Sequence, residues 1–273
     1  MRVTRIGKAG ATMLALLLLA GIGMSTARAA QPVLVELFTS EGCSSCPPAD
    51  ALLRRLVTSQ PIAGVEVIGL EEHVDYWNNL GWRDPFSAAQ FTRRQYQYAS
   101  ALGESSAYTP QMVVNGRDGF VGSDSGRAVS AIAAARKTPL ATVSLSRTYV
   151  KKDEAGLQIE MKRFPPGTAN GVAEVWLAVT EDDLADRVTA GENDGRRLLH
   201  DAVVRRLELI GRIAPSANGS YSATPTIRIA PGWKKSNLHA VVFVQAAGSR
   251  HILGIAELAL MLDMSHDKSR GIP

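Results

Sequence analysis

The chain has 273 residues, 45% of them apolar and 21% charged, with a formal net charge of +4. That balance excludes a disordered chain, a collagen-like repeat and a multi-span membrane protein. Arg2, Arg5, Lys8 and Arg28 are the only charges in residues 1–30, and taking them away leaves 26 basic against 26 acidic side chains. The basic excess belongs to the leader. No nucleic-acid partner is expected, because phosphate binding needs clustered, uncompensated Lys and Arg.

Met1–Lys8 is basic, Ala11–Met24 is apolar, and Ala27-Arg28-Ala29 has the small-x-small pattern of a secretory cleavage site. The apolar run is shorter than the roughly 20 residues of a spanning helix. A signal peptide over residues 1–29 is therefore expected, leaving a periplasmic or secreted protein with no membrane attachment after cleavage. Val33–Thr39 reads as a buried strand and Pro47–Ser59 as a helix, with Ala49, Leu52, Leu53 and Leu56 at helical spacing. Val65–Leu70 is a second strand. Asp84-Pro85 can open a helix that runs to Leu102 and stops at Gly103. Met112–Val114 is a third strand, Asn115-Gly116 turns it into a hairpin with Gly119–Gly122, and Ser125–Lys137 is a last helix with Val129, Ile132 and Ala133 inward.

After Thr138-Pro139 the pattern becomes all-β. Thr142–Lys151, Leu157–Arg163, Ala173–Thr180, Val203–Ile210, Tyr221–Ile229, Leu238–Ala246 and His251–Leu262 read as strands, separated by turns such as Pro165-Pro166-Gly167, Asn218-Gly219 and Pro231-Gly232. Asp182–Gly195 reads as a long polar loop. The expected fold class is an α/β domain over residues 31–138, followed by an all-β sandwich-like domain over 139–264 and a flexible tail over 265–273. Sequence gives no oligomeric state.

The chain has two cysteines, Cys43 and Cys46, in Gly42-Cys43-Ser44-Ser45-Cys46-Pro47. A C-x-x-C between a buried strand and a helix is a redox signature. The first thiol lies near the positive end of the helix dipole, which stabilises a thiolate. Cys43 is then the nucleophile and Cys46 the resolving thiol, acting on protein thiols and disulfides. A purely structural bridge closing so short a loop contributes only about 2 kcal/mol. A metal-binding pair is the third reading.

His73 and Asp75 follow the second strand, where strand ends converge on an active edge. Three readings of His73 stay open. It is a hydrogen-bonded strand-end histidine, an acid-base partner of Cys43, or a third soft ligand with Cys43 and Cys46 for Cu(I). His200, His239, His251 and His266 have no paired spacing, so no zinc site and no cofactor is expected.

The element order, the C-x-x-C position and Thr109-Pro110 before a strand resemble the thioredoxin superfamily, which specifies the first unit as thioredoxin-like. The resemblance implies that Pro110 is a cis-proline beside the disulfide and that Thr109 contacts substrate polypeptide. More narrowly, the run Val35–Asp50 is similar to secreted bacterial proteins grouped as domain of unknown function 1223. So are His73-Val74-Asp75-Tyr76-Trp77, Gly81-Trp82, Asp84-Pro85-Phe86, Tyr108-Thr109-Pro110-Gln111 and Gly191-Glu192-Asn193. Thioredoxin has a buried Asp six residues before its first Cys, where this chain has Leu37, so the resemblance supplies no proton acceptor for Cys46.

Overall fold

The structure is a computed structural model and describes residue 1 and residues 30–165, 171–216 and 219–260. The expected signal peptide beyond Met1, the tail at 265–273, and parts of the Pro165-Pro166-Gly167 and Asn218-Gly219 turns lie outside the described residues.

The first half runs β1 (Gln31–Thr39), α1 (Pro47–Ser59), β2 (Val65–His73), α2 (Ala89–Leu102), β3 (Gln111–Val114), β4 (Asp118–Val121) and α3 (Ser125–Ala135). The second half runs β5 (Thr142–Lys151), β6 (Glu154–Lys162), β7 (Ala173–Glu181), β8 (Leu184–Arg187), β9 (Arg197–His200), β10 (Val203–Ile213), β11 (Tyr221–Ala223), β12 (Thr226–Arg228), β13 (Leu238–Ala246) and β14 (Ile252–Ala259). The segment expected to be a long loop thus holds β8 and a 3-10 turn, Gly191–Asn193, and β9 follows it to close a hairpin with β8.

The expected fold class, an α/β thioredoxin-like domain followed by an all-β sandwich-like domain, is corrected. The chain is mostly β, and both halves contribute to one mixed eight-stranded sheet of order β14-β13-β7-β10-β2-β1-β3-β4. β10 lies parallel to β2 at Val203↔Glu71, and β7, β13 and β14 continue antiparallel from it. A second sheet, β11-β6-β12 with β5 on β6, packs against β7 and β13.

The physical reason lies in β7 and β13. Val175, Leu177, Val179, Ala240, Val242 and Val244 face the second sheet, while Ala178, Val241 and Phe243 face a core shared with Phe91 of α2 and Leu34 of β1. Strands buried on both faces read as continuous apolar runs, whereas a sandwich with one wet face alternates. The runs Val175–Val179 and Val241–Val244 are of the first kind. α1 and α3 cover the other face of β1–β3 through Leu52, Leu53, Leu56, Ala128 and Ile132.

Local signals place the helices. Pro47 and Pro48 occupy the first two positions of α1, where proline costs no hydrogen bond, and Gln60 ends it in the left-handed conformation. α2 stops at Gly103 as expected but begins at Ala89; Asp84 Oδ1 accepts from the Phe86 N–H at 2.9 Å in a turn that precedes the helix. In α3 the buried residues are Ala128, Ala131, Ile132 and Ala135, and Val129 is exposed. At the β3–β4 turn, Gly116 has φ +65°, and a Cβ there would lie 1.9 Å from the Arg250 carbonyl oxygen, so glycine alone lets this turn meet the β13–β14 turn.

Arg94 of α2 fastens the two halves together. Its Nε donates to Glu36 of β1 at 2.7 Å and its Nη1 to Gln245 of β13 at 3.0 Å. Its guanidinium lies over the rings of Tyr98, Trp176 and Phe243. Tyr98 donates to Glu36, and Gln245 donates to Tyr98 at 2.7 Å. Burial and the Glu36 charge hold the Glu72 carboxyl well above its usual range, against the pull of Arg94, beside the buried Arg94–Glu36 pair. Removing one partner of such a pair leaves an uncompensated charge. Arg94→Met is therefore expected to destabilise the fold by about 3–5 kcal/mol, read from urea unfolding. A loss no larger than that of an exposed-site change, about 0.5 kcal/mol, would contradict this role.

Candidate functional site

Cys43 and Cys46 form a disulfide with Cα atoms 5.4 Å apart. They sit where the turn after β1 enters α1. The Cys46 N–H donates to the Cys43 carbonyl at 3.2 Å, and Cys46 precedes the first helical residue. Pro47 and Pro48 carry no N–H, and the next two amides donate back to the Cys46 carbonyl. The helix end therefore offers few free donors to a Cys43 thiolate beyond its dipole. The Ser45 hydroxyl lies 3.3 Å from Cys43 Sγ and is placed to donate to the sulfur.

Both cysteines are 0% exposed, while Ser44 and Ser45 between them are exposed. The Gly191–Asn193 turn, the strap, is fastened to this segment. Asn193 Nδ2 donates to the carbonyls of Glu41 at 2.8 Å and Cys43 at 2.9 Å. Glu192 Oε2 accepts from the Ser44 N–H at 3.0 Å, and the Ser44 side chain and then this backbone bond lower the Glu192 pKa. The strap rests on the loop after β2. Gly191, at φ +75°, lies so close to Leu80 and Trp82 that an added Cβ would meet the Leu80 carbonyl oxygen at 3.3 Å.

The expected substrate-side residues come to the same place. The Thr109–Pro110 peptide is cis. Trp77 Nε1 donates to Thr109 Oγ1 at 2.8 Å, and Trp77 Cβ crowds Gly42, the residue before Cys43. Pro110 and Ala49 of α1 both abut Gly122, within 3.2 Å of where its Cβ would stand. Asp75 is not part of this group. It accepts from Thr92 Oγ1 at 2.5 Å and fastens the loop to α2.

His73 is hydrogen-bonded within the core. It is fully buried at the end of β2, with Nδ1 2.7 Å from Asp84 Oδ2. The same Asp84 oxygen accepts from the Glu41 N–H at 2.8 Å. Among the described residues the cysteines join no group of potential metal ligands, so the Cys43–Cys46–His73 set for Cu(I) is not assembled. Instead His73 faces Glu71 and His200 of β9, its ring centroid 4.9 Å from that of His200. Sequence spacing hid this pairing, because 127 residues separate the two histidines.

The buried cluster holds Glu41, Glu71, His73, Asp84, His200 and Asp50. Burial opposes protonation of His73, but Asp84 and Glu71 outweigh it and raise its pKa to about 10. Burial likewise opposes ionisation of Glu71, but His200 and His73 lower it to about 2. Asp50 is the exception. Burial, then the Glu71 charge, raise its pKa to about 7 against the pull of His200 and its hydrogen bond from Thr39. It lies one helical turn beyond Cys46. Asp50, Glu41, Asp84 and Asn193 all fall within the family-like motifs, which carried no roles for them.

The disulfide is buried and the strap holds the backbone around Cys43, so release of the strap is expected to ease thiol attack on the sulfurs. Each neutral hydrogen bond contributes about 1 kcal/mol. Asn193→Ala removes two and is expected to speed reduction of the native disulfide by dithiothreitol on the order of 10–30-fold, followed by thiol labelling under folding conditions. An unchanged rate would show that the strap does not control access.

The chain has a solved relative in the protein AGR_C_4864 from Agrobacterium tumefaciens, at 29% identity and a TM-score of 0.65, covering 86% of this chain and 96% of that one. HBP35 of Porphyromonas gingivalis matches at 15% identity and a TM-score of 0.62, covering 90% of this chain and 81% of that one, which shows likeness of fold alone. No curated protein matches. The family described as "Protein of unknown function (DUF1223)" matches residues 34–245, and the chain belongs to it.

Proposed function

We propose that Cys43–Cys46 is a redox-active pair exchanging with the thiols and disulfides of proteins outside the cytoplasm. The observation that carries this reading is the disulfide at the start of α1 with a buried carboxyl, Asp50, one turn beyond it and a pKa of about 7. The leader-like residues 1–29 support export, and an oxidising compartment is where such a disulfide persists.

In the direction that reduces the partner, the Cys43 thiolate attacks one sulfur of a partner disulfide. A mixed disulfide forms and the partner's other sulfur leaves as a thiolate. The Cys46 thiol then gives its proton to Asp50 and attacks Cys43 Sγ, forming Cys43–Cys46 and releasing the second partner thiolate. Two electrons pass from the dithiol to the partner. Ser45 supports the Cys43 anion, and the loop of Trp77, Thr109 and Pro110 forms the neighbouring docking edge.

Cys46→Ser is expected to trap partners as mixed disulfides through Cys43 in an extracytoplasmic extract, with none trapped by Cys43→Ser. No trapped species from either variant would overturn the reading. The acid-base role has its own test. Asp50 is raised above the ordinary carboxyl range, so it is protonated below about pH 7 and accepts the Cys46 proton only above it. Resolution of a glutathione mixed disulfide on the native chain should accelerate as pH rises through 7. Asp50→Asn should slow it about 100-fold and remove that inflection. A rate profile identical to that of the native chain would exclude Asp50 as the acceptor.

A further inference from the structure

Beneath the disulfide turn, four fully buried side chains carry polar atoms without hydrogen-bond partners. They are His73 Nε2, His200 Nε2, Glu41 Oε1 and Glu71 Oε2. His73 Nε2 lies 3.3 Å from Glu71 Oε1, and His200 Nε2 lies 3.4 Å from Glu41 Oε1. These separations are long for charge-assisted hydrogen bonds, which run about 2.7–2.9 Å. The His73–Glu71 separation matches the edge of a tetrahedron with metal–ligand bonds of about 2.0–2.1 Å, which is about 3.3–3.4 Å. One ligand atom each from Glu71, His73 and His200 already lies within 4.8 Å of the others.

From this geometry we infer that Glu71, His73 and His200 form a binding site for a divalent transition cation of the zinc class. Two imidazoles and a carboxylate are a borderline donor set suited to Zn²⁺, with the fourth position left to water. His73 Nδ1 is held by Asp84 at 2.7 Å, the carboxylate–histidine arrangement that fixes a ring with Nε2 toward a metal. His200 Nδ1 faces the Glu71 carboxylate at 2.6 Å and is the atom placed to ligate, while its Nε2 lies 3.4 Å from Glu41 Oε1 on the other side of the ring. Trp82 Nε1 donates to Glu41 Oε2 at 2.8 Å and holds that carboxylate behind His200. A cation here would take the unpartnered His73 Nε2 and join β2 and β9 at a single point. The site contains no cysteine, so it is separate from the redox pair.

The test uses the full mature chain, without a polyhistidine tag, refolded with and without Zn²⁺ or Co²⁺ and analysed for bound metal. One Zn²⁺ per chain and a raised unfolding temperature are expected. The Co²⁺ form should show the ligand-field absorption of a four-coordinate site without a sulfur-to-cobalt charge-transfer band. Cys43→Ser/Cys46→Ser should keep the metal, and His73→Gln and His200→Gln should lose stoichiometric binding. Asp84→Asn should weaken binding about 10–100-fold. Should the histidine variants not fold, the native chain still decides. A native chain that binds neither ion, a sulfur charge-transfer band, or binding retained in both folded histidine variants would overturn the site. These outcomes do not depend on thiol exchange.

Discussion

The arrangement depends on one strand joint, the parallel contact of β10 with β2. It is made at Val203↔Glu71, where the Glu71 N–H donates to the Ala202 carbonyl at 2.8 Å. Because β10 docks there, the β8–β9 hairpin just before it is delivered to the end of β1 and β2 where the cysteines lie. His200 arrives against His73 and Glu71, and Asp201 reaches Arg54 of α1 at 2.7 Å. The strap, a few residues earlier, is fastened to the Cys43 segment. Without that joint the chain would have two separate β systems and a disulfide turn without its strap.

The joint also explains why so much charge is tolerated inside. Burying an ionised carboxylate costs several kcal/mol after relaxation unless it is paired. Here the acids of the first half are matched by cations from elsewhere in the chain: Arg94 of α2 for Glu36, and His200 of β9 for Glu71. The charge network and the sheet topology are therefore two aspects of one constraint. Pairing closes the site, and closure removes water from the disulfide and from Asp50.

Much of the first half is legible in the sequence, because its signals are local. The boundaries of α1 follow from Pro47 and the helical spacing of Leu52, Leu53 and Leu56, and the end of α2 from Gly103. Cys43 and Cys46 are marked by their spacing and Thr109-Pro110 by family resemblance. What was not legible is long-range. The non-alternating runs of β7 and β13 signal burial on both faces, but not which sheet they join. Tyr221–Ile229 reads as one strand yet divides into β11 and β12, which pair with different stretches of β6. The polar Asp182–Gly195 segment reads as solvent-facing loop, because the acceptors it meets are backbone carbonyls of a turn 150 residues away. His200 carries no spacing signal, since its partner is set by the joint and not by the chain.

The reduction potential of the Cys43–Cys46 couple, measured by equilibration of the folded chain with glutathione or dithiothreitol buffers, tests the central claim most directly. A working exchange pair should fall in the range of known oxidoreductases, about −120 to −270 mV. A value below about −300 mV, the range of structural disulfides, would contradict it and leave the pair as a fixed bridge.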